Sequence, residues 1–225
     1  KGLTGCGGTN LALTNDVDTI IVMPYVSLIK NKMAQALIEE HDKDLKKKPI
    51  KKLIGVYGYN SDDDSGLTPA SEDDIIEYCR KIKKGDRKIC VTMDSYKRLV
   101  ELLHKNGIDV FNEFFSLIDE WHVLFNSYIF RNRAITEGLH IAKSFKEVTY
   151  MTATPLEEEF ILEEIKDLPT QRIEWPDAIN INLISVPTNS PVNAVCRRIK
   201  DALEGTTYGN LHFFVNSVKF IKECI

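Results

Sequence analysis

The chain has 225 residues, 43% of them hydrophobic and 28% charged, with a net charge of −4 and a pI of about 5.8. That acidic balance excludes the global electrostatic footprint of a nucleic-acid binder and leaves only a local basic groove open. The five cysteines (Cys6, Cys79, Cys90, Cys196, Cys224) form no C-x-x-C pair, which argues against zinc and against a disulfide framework.

Free thiols fit a reducing, cytoplasmic setting. No apolar run approaches the ~18 residues of a membrane span, so no membrane partner is expected. Lys1-Gly2-Leu3-Thr4-Gly5 does not form a signal peptide. A globular chain of this length buries roughly 70% of its unfolded surface, enough for a substantial core.

In chain order, a glycine-rich stretch from Gly2 to Asn10 leads into a short helical patch at Leu11–Leu13. Val17 to Met23 is a strand stopped by Pro24, with Asp16 and Asp18 flanking its start. From Ser27, a possible N-cap, the apolar spacing of Leu28, Ile29, Met33, Ala36 and Leu37 predicts a helix. The charged run through Lys46, Lys47, Lys48, Lys51 and Lys52 reads as a solvated face, with phosphate contact as the sharper alternative. Leu53–Tyr57 is a strand, and Tyr59–Ala70 a loop. Ser71 with Asp74 forms a weak capping box for a helix through Ile82, stopped by Gly85.

Ile89–Met93 is the next strand, and Asp94 caps a helix ended by Asn106-Gly107. Phe114–Ile118 reads as a buried parallel strand. A helix at Arg131–Phe145, a strand at Val148–Met151 and an acidic helix at Leu156–Ile165 follow. Asp167–Thr170 breaks the pattern and marks a boundary between domains at 1–168 and 169–225. Beyond it come a strand at Ile181–Val186, a helix opened by Ser190-Pro191 and closed by Gly205, a strand at Leu211–Val215 and one more helix. This alternation predicts an α/β fold with a mostly parallel sheet.

The chemistry centres on Asp119-Glu120-Trp121-His122, at the C-terminal end of a buried strand, where open α/β sheets bind ligands. One carboxylate can hold Mg²⁺ while its neighbour orients a water; a solvated acidic turn is the plainer alternative. Gly2, Gly7 and Thr9 fit the spacing of a phosphate loop, in which glycine N–H groups and a helix N-terminus cradle phosphate. Gly8 stands at the lysine position. A glycine-rich turn with no ligand is again the plainer alternative.

Taken together, these stretches resemble the motor core of superfamily 2 helicases and translocases. Gly5-Cys6-Gly7-Gly8-Thr9, followed by Asn10, is similar to motif I; Val22–Leu28, with Pro24 and Tyr25, to motif Ia; Val91-Thr92-Met93-Asp94 to motif Ib. Asp119–His122 matches the D-E-x-H form of motif II. Thr152-Ala153-Thr154-Pro155 is similar to motif III and His212–Ser217 to motif IV. The resemblance implies a RecA-like P-loop NTPase domain and the start of a second, with ATP and Mg²⁺ as cofactors.

It further implies that Thr9 and Asp119 serve the metal, that Glu120 activates water, and that His122 links the nucleotide site to Thr152, Ala153 and Thr154. Pro24, Tyr25, Thr92 and Asp94 would contact single-stranded or duplex nucleic acid, DNA ahead of RNA. The loop lysine is absent, as are motifs V and VI and the strand before motif I, so a fragment of a motor is expected. The expected function is a nucleic-acid-dependent ATPase of helicase or translocase type. The alternatives are a weakened pseudo-helicase acting as a binding or assembly module and, further off, a small-molecule P-loop kinase.

Overall fold

The structure is a computed structural model describing residues 7–42, 48–58, 66–154, 156–157, 159, 161–173, 187 and 189–205. The chain divides into two compact units, Lys1–Pro176 and Asp177–Ile225. The first is α/β. Its strands are β1 (Thr19–Met23), β2 (Leu53–Val56), β3 (Lys88–Thr92), β4 (Phe115–Asp119) and β5 (Val148–Met151). They form one sheet in the order β2-β3-β1-β4-β5, with every pairing parallel. The helices are α1 (Gly8–Thr14), α2 (Val26–His41), α3 (Glu72–Lys81), α4 (Met93–Lys105), α5 (Val110–Glu113) and α6 (His122–Ala142).

The central strands β1 and β3 are buried at every position. A parallel strand covered on both faces has no solvent side, hence the unbroken apolar runs. Alternate residues serve two cores. Ile20, Val22, Ile89, Val91 and Ile118 pack with α3, α4 and α6 on one face. Ile21, Met23, Cys90 and Leu117 pack with α1 and α2 on the other. The connection after β1 leads toward β2 and the one after β4 toward β5, in opposite directions across the sheet. The gap between β1 and β4 is therefore the topological switch point, where open α/β sheets form their ligand crevice.

Several boundaries move from the expectation. β3 ends at Thr92, and Met93 begins α4, so Thr92 rather than Asp94 is the N-cap position. Tyr25, not Ser27, precedes α2. The capping box of Ser71 and Asp74 is present in both its bonds. Gly107 (φ 76) ends α4 as expected, with Gly107 N–H to His104 O at 3.0 Å and Ile108 N–H to Leu103 O at 3.1 Å. α6 begins nine residues before Arg131, which is a non-helical kink inside it (φ −126°, ψ 20°).

The acidic stretch 156–165 is not an α-helix among its described residues. Leu156, Ile161, Leu162 and Ile165 still pack on the first core. Their burial does not require helix geometry, and a helix would set Glu159 beside Glu163 at i, i+4, where like charges repel. In the second unit, α7 spans Pro191–Leu203, with Ser190 at the N-cap position and Gly205 (φ 70) past its end. The expected strands at 181–186 and 211–215, the last helix and the motif IV residues lie outside the described residues.

Candidate active site at the C-terminal edge of the sheet

Thr9 and Asp119 are 110 residues apart in sequence, and Thr9 Oγ1 donates a hydrogen bond to Asp119 Oδ2 at 2.7 Å. Asp119 is the last residue of β4 and only 9% exposed. Thr9 sits in the first turn of α1, which packs through Ala12 and Leu13 on the same core as Ile21 and Leu117. The helix start is set by Gly7, whose φ of 79° is left-handed and favours glycine. Gly7 O accepts the first helical bond, from Leu11 N–H at 2.8 Å. Gly8 and Asn10 lie in the same helix; Gly5 and Cys6 lie outside the described residues.

Gly8, where the resemblance expects a lysine, is closely packed. A Cβ built on Gly8 would lie 2.4 Å from the sulfur of Met151, the last residue of β5. The thioether occupies the space in which a side chain at Gly8 would begin.

Glu120 follows Asp119 with φ 49°, the only positive-φ non-glycine residue among those described. Its N–H bonds back to Asp119 Oδ1 at 3.0 Å, and the next N–H, of Trp121, reaches Met151 O at 3.2 Å. These two bonds hold the chain in a sharp turn of a kind concentrated at functional sites. Trp121 itself is buried in the core. The turn directs the Glu120 carboxylate toward the residues after β5. Glu120 Oε2 accepts from Ala153 N–H at 3.3 Å and from Thr152 Oγ1 at 3.4 Å. Thr152 Oγ1 also lies 2.7 Å from His122 Nδ1, accepts Thr154 N–H at 3.0 Å and faces Thr154 O at 3.1 Å. With Nδ1 protonated, His122 donates to Thr152.

Glu120, His122, Thr152, Ala153 and Thr154 thus form one network bridging the ends of β4 and β5. Thr9 and Asp119 offer two hard oxygen donors side by side. Among the described residues no group of three or more His, Cys, Asp or Glu could hold a metal ion. A two-oxygen protein site suits Mg²⁺, which keeps most of its waters.

The four expected nucleic-acid residues cluster at the same edge. Met23 and Thr92 are paired partners at the ends of β1 and β3, so the turns carrying Pro24 and Tyr25 and carrying Thr92 and Asp94 lie side by side. Tyr25 is 52% exposed, whereas Pro24 and Thr92 are buried. Asp94 is exposed at the surface, 3.7 Å from Arg131 Nε.

The opposite edge carries charges to which the sequence reading gave no structural role. Arg87 and Asp18 form a buried ion pair, and Arg87 also bonds Glu113 at 2.8 Å and lies over the Phe114 ring. Asp16, noted only as flanking β1, bonds Lys51 at 2.6 Å and Lys48 at 3.0 Å. Lys51 also bonds Asp86. Lys48 and Lys51, read as part of a solvated face, therefore serve carboxylates at the N-terminal edge, a strand length from Asp119. Among the described residues no helix is long and apolar enough to cross a membrane. No family model, curated protein or solved structure matches the chain.

Proposed function

We propose that the chain is part of a nucleic-acid-dependent ATPase of the superfamily 2 helicase and translocase type, built on a RecA-like P-loop domain. The observation that carries this reading is the 2.7 Å bond between Thr9 and Asp119, which joins the glycine-loop helix to the carboxylate strand at the switch point. Thr9 and Asp119 are the residues that would hold Mg²⁺; bound there, the ion supplies charge neutralisation for phosphate oxygens. Glu120, next in the chain after Asp119, is the carboxylate that would orient a hydrolytic water. His122 and Thr152 tie the carboxylate to the turn after β5, so a change at the nucleotide is felt at Thr154. The paired turns that expose Tyr25 and Asp94 supply a neighbouring surface for the sugar–phosphate backbone, which is gripped without reading bases.

ATP hydrolysis by the full-length protein, measured with and without single-stranded DNA, tests the proposal. The expected result is a DNA-stimulated rate that Glu120→Gln abolishes. No turnover and no nucleotide affinity in the unaltered protein would overturn it.

The contact between Gly8 and Met151 favours a second reading, a pseudo-motor that binds nucleic acid without efficient turnover. Losing one cation aimed at the transferred phosphoryl costs on the order of 3 kcal/mol, about a hundredfold in rate. Slow hydrolysis with intact DNA binding is the outcome this second reading expects.

A further inference from the structure

α1 is seven residues long, about two turns. A rod this short does not bend, so the seat of its C-terminal end, together with the packing of Ala12 and Leu13, sets where Thr9 lies at its start. That end is Asn15, the C-cap residue. Asn15 Oδ1 accepts from Val17 N–H at 3.2 Å and from Lys88 Nζ at 2.6 Å. Lys88 Nζ also donates to Val17 O and, at 3.3 Å, to Thr19 Oγ1. A second tether runs from Lys51 N–H to Leu13 O at 3.2 Å.

Lys88 is the first residue of β3 and has no exposed surface. Burial, reinforced by the nearby Lys51, pushes its ammonium down to about 8. Its hydrogen-bond acceptors are all uncharged; Asp18, Asp86 and Asp16 act on it only through longer-range attraction. A methionine would fill the same space without the desolvation cost. What the methionine would lack is the grip on Asn15.

We propose that Lys88 is a positioning residue for the Thr9–Asp119 pair, holding Asn15 and thereby the seat of α1 that brings the Thr9 hydroxyl to Asp119. The proposal rests on the reading of that pair as the metal–nucleotide site.

The test is the affinity of the full chain for ADP, titrated with and without Mg²⁺. The variants are Lys88→Met, Asn15→Ala, Asn15→Asp and Thr9→Val, alone and combined, with thermal unfolding followed in parallel. Asn15→Ala and Lys88→Met are expected to weaken the Mg²⁺-dependent part of the affinity about tenfold, the scale of lost supporting contacts at metal sites. Neither should weaken it further once Thr9 is valine. Asn15→Asp keeps the acceptor for Lys88 and should restore the affinity. Should Lys88→Met fail to fold, Lys88→Leu, which likewise removes the donor, takes its place, because the Asn15 variants also alter the Val17 N–H bond. If Thr9→Val weakens binding but Asn15→Ala does not, or if their effects simply add, the positioning role is wrong and the metal–nucleotide reading stands. No Mg²⁺-dependent binding in the unaltered chain, or binding indifferent to Thr9→Val, would overturn both.

Discussion

At the scale of single residues, the site is defined by what Gly8 lacks and what Glu120 tolerates. Glu120 adopts a left-handed backbone because two hydrogen bonds, to Asp119 and between Trp121 and Met151, over-determine the turn. Gly8 faces the Met151 sulfur, part of a flexible, half-buried side chain packed against the second core. Gly8→Lys alone should therefore raise affinity for Mg²⁺–ADP less than Gly8→Lys combined with Met151→Ala, which clears the space. Equal affinities in a direct titration would show that Met151 is no obstacle. Thr9, Asp119 and His122 were picked out in the sequence through a resemblance to a family's motifs. Arg87 and Lys88 were not. Charged residues at a strand start ordinarily face solvent, and only the pairing of β3 with β1 places them against Asp18, Val17 and Asn15.

At the scale of elements, the strands were the easiest to read, because fully covered parallel strands are continuous apolar runs. α6 was harder. Its first half leaves Ile129 and Phe130 largely exposed, which destroys the 3.6-residue periodicity that reveals a helix. The turn before β3 shows an element boundary with a backbone requirement. Gly85 has φ 92°, its N–H bonds Asp18 Oδ1 at 2.7 Å, and an added Cβ would lie 2.9 Å from the carbonyl oxygen of Asp16. Gly85→Ala is expected to cost about 1–3 kcal/mol in denaturant unfolding, from the strained dihedral and the backbone clash together. A loss below about 0.5 kcal/mol, the scale of neutral surface changes, would contradict this account.

At the scale of the first unit, the sheet separates two kinds of polar chemistry. The C-terminal edge carries Thr9, Asp119, Glu120, His122 and Thr152, and the N-terminal edge carries ion pairs that join the starts of β1 and β3. Hydrogen bonds from Lys51 and Lys48 hold the Asp16 carboxyl at about 2, below its ordinary 3.8, and Lys51 lowers Asp86 as well. Carboxyls lowered in the folded state stabilise it above pH ~4, and that stability is lost as the pH falls toward 2. Lys51→Met should flatten the stability profile between pH 4 and 2 in thermal unfolding; an unchanged slope would mean these exposed pairs contribute nothing.

The sequence by itself determined the α/β class, the five strands of the first unit and the ends of α3 and α7, because burial periodicity, capping and turn chemistry are local. Tertiary structure alone decided that the strands order as β2-β3-β1-β4-β5, that Thr9 meets Asp119, that Met151 backs Gly8 and that Lys88 reaches Asn15. Each of those contacts joins residues distant in the chain, and nothing local distinguishes a side chain that will meet such a partner from one that will meet water.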